Sequence, residues 1–266
     1  MSGFDKDGGL DLARLSRRAA LIGAAGAGGF LLTGCDQLSH SPSFIRVMQT
    51  AERWNLTSQR FLLSAGQLAP EYSAKDISPV FKANGSFQPT SDDYRRLMDT
   101  GFNDFKLRIG GLVQHPLSLS LAELRALPSR SQITRHDCVE GWSAIGGWTG
   151  VQLGLLLKSA ALLPQARYLV FHCADNLGGA GQGGLYYESI DLNDAAHPQT
   201  ILAYDMNGQP LPVHHGAPLR LRLERQLGYK MAKYVMAIEA VDSYARFGGG
   251  RGGFWEDRGY AWYGGI

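Results

Sequence analysis

Cysteine is scarce. Cys35, Cys138 and Cys173 are the only three, too few for a disulfide framework, and no C-x-x-C pair joins them. An excess of one charge is also missing: 26 Lys and Arg face 24 Asp and Glu, a net charge of +2. No basic surplus is left to track a phosphate backbone, which argues against a nucleic-acid partner. Neither G-x-S-x-G nor H-E-x-x-H occurs, so the common hydrolase and zincin readings lack support. No apolar run makes a comfortable membrane span. The uncharged stretch from Ala19 to Gly34 has 16 residues, five of them glycine, against the roughly 20 that a span needs. Gly248, Gly250 and Gly253 match G-x-G-x-x-G formally, but no helical pattern follows and only 13 residues remain. That is too few for the acidic residue that binds a dinucleotide's ribose. A glycine-rich tail threading across a surface is expected instead. The glycine-rich stretch 178–184 lacks the Lys-Ser/Thr of a P-loop and reads as a loop.

What is present describes a globular chain. It has 266 residues, 44% hydrophobic and 19% charged, enough to bury a core. Its 34 glycines are nearly twice the usual share of roughly 7%. Arg17 and Arg18 precede the weakly apolar stretch, and small residues end it, the pattern of an export signal by the twin-arginine route. Leu32-Thr33-Gly34-Cys35 resembles a bacterial lipobox, with Cys35 as the lipidated residue. The sequence therefore divides into a signal at 1–34, a tether and N-terminal extension with a short helix at 35–70, and one large domain at 71–266. The expected location is periplasmic and lipid-anchored. Export of folded protein is useful when a cofactor must first be inserted in the cytoplasm.

Periodicity organises the domain as α+β. Phe105, Leu107 and Ile109 alternate with polar residues and predict a strand ending at Gly110-Gly111. Ser120 and Glu123 form a capping-box pattern before a helix bearing Leu121, Leu124 and Leu127. A strand over 131–136 delivers Cys138. Residues 151–163 predict a helix whose buried face is Leu153, Leu156, Leu157 and Ala160. Strands follow over 167–173 and 185–190. Asn207-Gly208 predicts a tight hairpin turn between 201–206 and 209–211. Leu219, Leu221 and Leu223 point one way, and Arg220, Arg222 and Glu224 the other. The last strand is expected over 234–244. No repeat or linker appears inside 70–266.

The segment from Thr134 to Trp142 stands apart. It is polar, follows a strand and sets Cys138 among ionisable groups, whereas a structural cysteine usually has apolar neighbours. A thiol there could serve as nucleophile, redox thiol or soft metal ligand.

Asp137-Cys138-Val139-Glu140-Gly141-Trp142, followed by Trp148-Thr149-Gly150-Val151 and a helix, resembles the molybdenum-cofactor domain of the sulfite oxidase fold. His215-Gly216-Ala217-Pro218-Leu219-Arg220 and Gly228-Tyr229-Lys230-Met231-Ala232-Lys233 are similar to that family's cofactor-phosphate segment. Asn207-Gly208 with Pro210-Leu211-Pro212 also fits. The resemblance runs from about residue 75 to 245. It implies a molybdenum-molybdopterin cofactor in a sulfite oxidase-type domain of mixed sheets and few short helices, with Cys138 as the thiolate ligand. It further implies that Arg220, Lys230 and Lys233 hold the cofactor phosphate beside the backbone of Met231 and Ala232. Lys82 and Asn84 fall where the family contacts the cofactor. Cys173 and His215 stand where the bacterial reductase branch commonly has Thr and Asn. Each retains a group able to hydrogen-bond.

Two departures separate the chain from sulfite oxidases: the arginine-rich stretch after the ligand cysteine is replaced by Glu140-Gly141-Trp142, and the dimerising β-sandwich is not seen. A monomer is therefore expected, resembling the periplasmic branch that reduces methionine sulfoxide. The expected activity is reduction of a small S-oxide or N-oxide with electrons from a membrane cytochrome. Sulfite-type oxidation is the alternative. Two further readings are an assembly protein that keeps the fold without turnover, and a non-enzymatic lipoprotein binding zinc or copper through His136, Asp137, Cys138, His172, Cys173, His214 and His215.

Overall fold

The computed structural model describes residues 41–62, 66–178 and 184–266. The expected signal, Cys35 and the middle of the 178–184 loop lie outside the described residues. Contacts divide the chain into two units, Met1–Arg53 and Trp54–Ile266. Helix α1 (Pro42–Leu62) is longer than the short helix expected there, and α2 (Asp92–Asp99) follows it in the chain. Among the described residues no helix is long and apolar enough to cross a membrane.

Two five-stranded sheets and a few short helices make up the second unit, an α+β fold. The first sheet has the order β2-β1-β10-β5-β6, built from β1 (Lys106–Gly111), β2 (Leu117–Ser120), β5 (Tyr168–Cys173), β6 (Tyr187–Asp191) and β10 (Val235–Val241). Only β1 with β10 is parallel; the other pairs are antiparallel. The second sheet runs β3-β4-β7-β8, with β9 also paired to β7. Its strands are β3 (Ser129–Cys138), β4 (Trp142–Gln152), β7 (Ile201–Met206), β8 (Gln209–Pro210) and β9 (Arg220–Arg222).

Local chemistry explains the short elements. Ser120 accepts from Glu123 N at 3.2 Å while the Glu123 carboxylate accepts from Ser120 N at 2.7 Å, the reciprocal cap of α3 (Leu121–Ala126). Asn207 and Gly208 both have positive φ, 52° and 76°, the backbone that a two-residue hairpin turn demands. Helix α4 (Leu153–Ala160) buries Leu153, Leu156, Leu157 and Ala160, as its spacing predicts. It is shorter than the expected 151–163 because Val151 and Gln152 still belong to β4, and Ala161 turns left-handed (φ 53°). Tyr234 likewise has positive φ, so the last strand begins one residue late and ends at Val241.

Leu219, Leu221 and Leu223 enter the main hydrophobic cluster with α4 and the first sheet. The alternation of this stretch is as expected, but its polar side is not at the surface. Arg220 and Arg222 are fully buried, and Glu224 is nearly so. They pack around Trp148, with the guanidinium carbons 5.3 and 4.2 Å from its ring centre.

Candidate cofactor site

Thr134 to Trp142 does not follow a strand; it is the hairpin of β3 and β4. Cys138 pairs with Trp142 across its mouth, and Gly141 takes positive φ to close it. Period-two alternation sends Gln132, Thr134, His136 and Cys138 inward together. Cys138 thus opens onto a cavity lined also by Asn84, Gly85, Ser86, Val139, Glu140, Asp175, Leu177, Tyr186, Gly228, Tyr229, Met231, Lys233, Trp255 and Tyr260. Burial pushes the Cys138 thiol pKa up, so without a metal it is a thiol and a poor nucleophile. A bound soft cation would deprotonate it.

Behind Cys138 lies a cluster of buried donors. Phe81 is its hub, 5.5 Å from each of the His136, Trp148 and His215 rings. Arg222 is neutralised by Glu224 at 2.7 Å, both side chains sealed from solvent, and Gln132 donates to the same carboxylate at 2.8 Å. Arg220 is different. It donates to the His215 carbonyl at 3.0 Å and to Asn84 Oδ1 at 3.4 Å, and no carboxylate among the described residues pairs with it. Burial, then the charge of Arg222, lowers its pKa to about 9. Lys233 gives its hydrogens to three carbonyls, those of Asn84 at 2.7 Å, His214 at 3.1 Å and Ser86. Burial and then Arg220 lower its pKa to about 7. Burial and the same arginine take His215 down to about 3.

Four polar atoms of this cluster are buried without a partner among the described residues: Nε2 of His136, Nε1 of Trp148, Nδ1 of His215 and Nε of Arg220. A buried, unpaired guanidinium beside unsatisfied donors is costly. An anion rich in acceptor oxygens removes the cost. The donor set therefore fits a phosphate-bearing cofactor, with a soft thiol at the other end for a sulfur-bound metal.

The expected residues do not all converge. Cys138, Asn84, Met231 and Lys233 line the cavity. Arg220 and His215 lie in the donor cluster behind it. Ala232 is buried, and its carbonyl accepts from Leu221 N at 2.8 Å. Cys173 is 2% exposed at the end of β5, outside the cavity lining; burial raises its thiol pKa well above the usual range.

Two expected contacts stand apart from the cluster. Lys82 is exposed and does not line the cavity. Lys230 is fully buried but turned to other partners: Glu188 at 2.5 Å, Glu256 at 2.6 Å and the Ser189 carbonyl at 3.0 Å. Lys233 also makes three bonds, but all to uncharged carbonyls, whereas two of the partners of Lys230 are carboxylates that take up its charge. Burial alone would lower its pKa, but the two carboxylates raise it.

Sequence reasoning missed Asp175, Tyr186, Trp255 and Tyr260, and held Tyr229 only as part of the phosphate segment. Asp175 is 3% exposed and accepts from Ser86 Oγ at 2.7 Å, while its Oδ1 has no partner among the described residues; burial raises its pKa. A signal existed, since it is the first acid beyond β5. The glycine-rich tail runs along the surface over 248–251, as expected, and then turns inward. Gly253, Phe254 and Glu256 are buried, and Trp255 and Tyr260 reach the cavity. Among the described residues no group of three His, Cys, Asp or Glu side chains converges as a metal cluster, so nothing supports the zinc or copper reading.

The chain is similar to several known proteins. Residues 96–246 match the family model for the oxidoreductase molybdopterin-binding domain. A putative protein-methionine-sulfoxide reductase subunit YedZ1 from Azospira oryzae is 40% identical over 261 residues, 98% of this chain and 92% of that protein. The protein-methionine-sulfoxide reductase catalytic subunit MsrP of Xanthomonas campestris pv. campestris is 37% identical over 217 residues, 70% of this chain and 67% of that protein. MsrP of Xanthomonas axonopodis pv. citri is 39% identical over 143 residues, 51% of this chain and 44% of that protein. Among solved structures, the sulfane dehydrogenase SoxCD from Paracoccus pantotrophus aligns at TM-score 0.47 and 24% identity, over 53% of this chain and 39% of that chain.

Proposed function

The chain belongs to the oxidoreductase molybdopterin-binding domain family, and from that premise we propose that this molybdenum-molybdopterin enzyme reduces a small S-oxide or N-oxide. For a sulfoxide the balance is R2SO + 2 H+ + 2 e− → R2S + H2O. The cofactor supplies two-electron oxygen-atom transfer; the chain supplies its binding, its thiolate ligand and the substrate cavity.

Cys138 is the residue we assign as molybdenum ligand. Arg220, Lys233, His215, Asn84 and the backbone of Met231 and Ala232 would hold the organic part and its phosphate. The fork of Arg220 suits a phosphate oxygen pair. Lys230, with its charge consumed by Glu188 and Glu256, instead stiffens the turn that presents Met231 and Lys233. Cys173 acts at one remove, behind the cavity wall.

One observation carries the choice of substrate. Lys233 is the only cation among the described residues lining the cavity, and it sits with the cofactor-binding donors, whereas Glu140 and Asp175 are acids of the same lining. Such a wall repels a sulfite anion and accepts a neutral oxide. The relatives named as methionine-sulfoxide reductases support the same direction.

A membrane cytochrome is the electron donor we propose. We further propose periplasmic location, with residues 1–34 as a twin-arginine signal, 35–70 as tether, 71–266 as the catalytic domain, a lipid anchor on Cys35 and a monomeric state. Loaded protein should contain molybdenum and pterin and reoxidise reduced viologen with a sulfoxide. Oxidation of sulfite with no turnover of S-oxides or N-oxides would reverse the assignment. Cys35→Ser should release the protein from membranes with its cofactor content intact; continued membrane retention would remove the anchor.

A further inference from the structure

The family match ends at residue 246, yet the chain beyond it returns to the cavity. Phe254 N donates to the Tyr187 carbonyl at 3.0 Å, and Leu227 N to the Gly264 carbonyl at 2.8 Å. Tyr229 donates its hydroxyl to the Ala261 carbonyl at 2.7 Å. Glu256, 1% exposed, takes the Lys230 ammonium at 2.6 Å. Its chain neighbour Trp255 is thereby held against the cavity. The Trp255 and Tyr260 rings stack with centres 5.4 Å apart and planes 28° apart, and Tyr229 meets Tyr260 edge-on at 5.2 Å. All three rings line the cavity that contains Cys138.

We infer that residues 247–266 build the substrate side of this cavity and that the Trp255–Tyr260 stack, backed by Tyr229, selects S-oxides bearing an apolar substituent on sulfur. The inference rests on the S-oxide reading above. Aromatic faces attract C–H groups and sulfur, and their negative quadrupole disfavours anions. A pre-stacked pair loses little entropy when it takes up a ligand. Lys230 is a positioning residue for this wall: it ties Glu256, next to Trp255, to Glu188 on β6, and its own turn carries Tyr229.

The test uses the loaded full chain, reduced methyl viologen as donor, and two sulfoxides, methyl phenyl sulfoxide and dimethyl sulfoxide. Trp255→Ala should raise KM for the phenyl substrate on the order of tenfold and for dimethyl sulfoxide much less, with kcat changed less than KM. Trp255→Phe should restore most of the loss. Tyr260→Ala, at a 40% exposed position that tolerates truncation, should show the same split. Molybdenum content and the Mo(V) resonance should match wild type in all three. An equal change for both sulfoxides, or none, overturns the wall. Turnover of amine N-oxides alone overturns the S-oxide reading instead. The wall is then judged on trimethylamine N-oxide against N,N-dimethylaniline N-oxide, where an equal KM change overturns it as well.

Discussion

Nη1 of Arg222 and Nδ1 of His136 lie 3.2 Å apart, with both side chains sealed from solvent. Arg222 has only hydrogens to give, so Nδ1 accepts and the proton of the neutral ring sits on Nε2. Burial, then the charges of Arg220 and Arg222, hold the imidazole neutral by lowering its pKa well below the usual value. The Nε2 edge faces Gly228, where an added Cβ would fall 2.4 Å from Nε2 and 2.3 Å from Cε1. A ring locked by an arginine cannot step aside.

Gly228→Ala should therefore displace the turn that carries Tyr229 and Met231. Overpacking of this kind costs about 1–3 kcal/mol, a fall in Tm of roughly 2–12 °C for a chain of this size. Calorimetry of the variant checks it. Gly228→Ala with His136→Ala should recover most of the loss; no recovery would show that the clash lies elsewhere.

The two cysteines of the domain should behave differently. Cys138→Ser replaces a soft thiolate with a hard hydroxyl, so turnover should collapse and the Mo(V) resonance should change. Cys173→Thr keeps a hydrogen-bonding group of similar size outside the cavity lining, so activity should survive with at most a shifted potential. The reverse pattern in electron paramagnetic resonance would exchange their roles.

Arg220→Ala should weaken cofactor retention. Loss of one charge-assisted hydrogen bond costs about 1.5–3 kcal/mol, or roughly ten- to a hundredfold in retention. Arg220→Lys returns the charge but not the fork, and should recover only part. Molybdenum and pterin analysis after gel filtration reads the effect. Full occupancy in Arg220→Ala would remove the assignment.

Lys233 makes the cofactor-free protein pH-sensitive. Its pKa is lowered to about 7 in the fold from 10.5. Between those values the unfolded chain holds a proton that the folded chain lacks. Stability must then rise with pH across that window, by up to about 1.4 kcal/mol per unit, with no slope from this group below it. Urea midpoints of the cofactor-free protein at pH 7, 8 and 9 should rise, and Lys233→Met should flatten the rise. In the loaded protein a phosphate beside the ammonium would keep it charged, so the slope should shrink. An unchanged slope after loading would place the phosphate elsewhere.

Much of the fold is legible in local patterns. Leu153, Leu156, Leu157 and Ala160 declare their buried face by spacing alone, and Ser120 with Glu123 declares a helix start, because both depend on neighbours within a turn. Arg220 is readable as the side opposite Leu219 and Leu221, since strand alternation is local. The partner of each buried charge is not. Arg222 finds Glu224 nearby, but Lys230 finds Glu188 and Glu256, 42 and 26 residues away in sequence. No periodicity encodes such a pairing.

The sequence by itself determined the fold class, the strand that carries Cys138, and the residue types able to hold a phosphate and a soft metal. Tertiary structure decided which of them meet. It buried Arg220 without a counter-ion among the described residues, spent Lys230 on two carboxylates, left Lys82 in solvent and brought Trp255 and Tyr260 back to the cavity. The physical reason is one of range. Helix, strand and turn preferences act over a few residues, whereas the cost of burying a charge or an aromatic ring is set by what the rest of the chain packs against it.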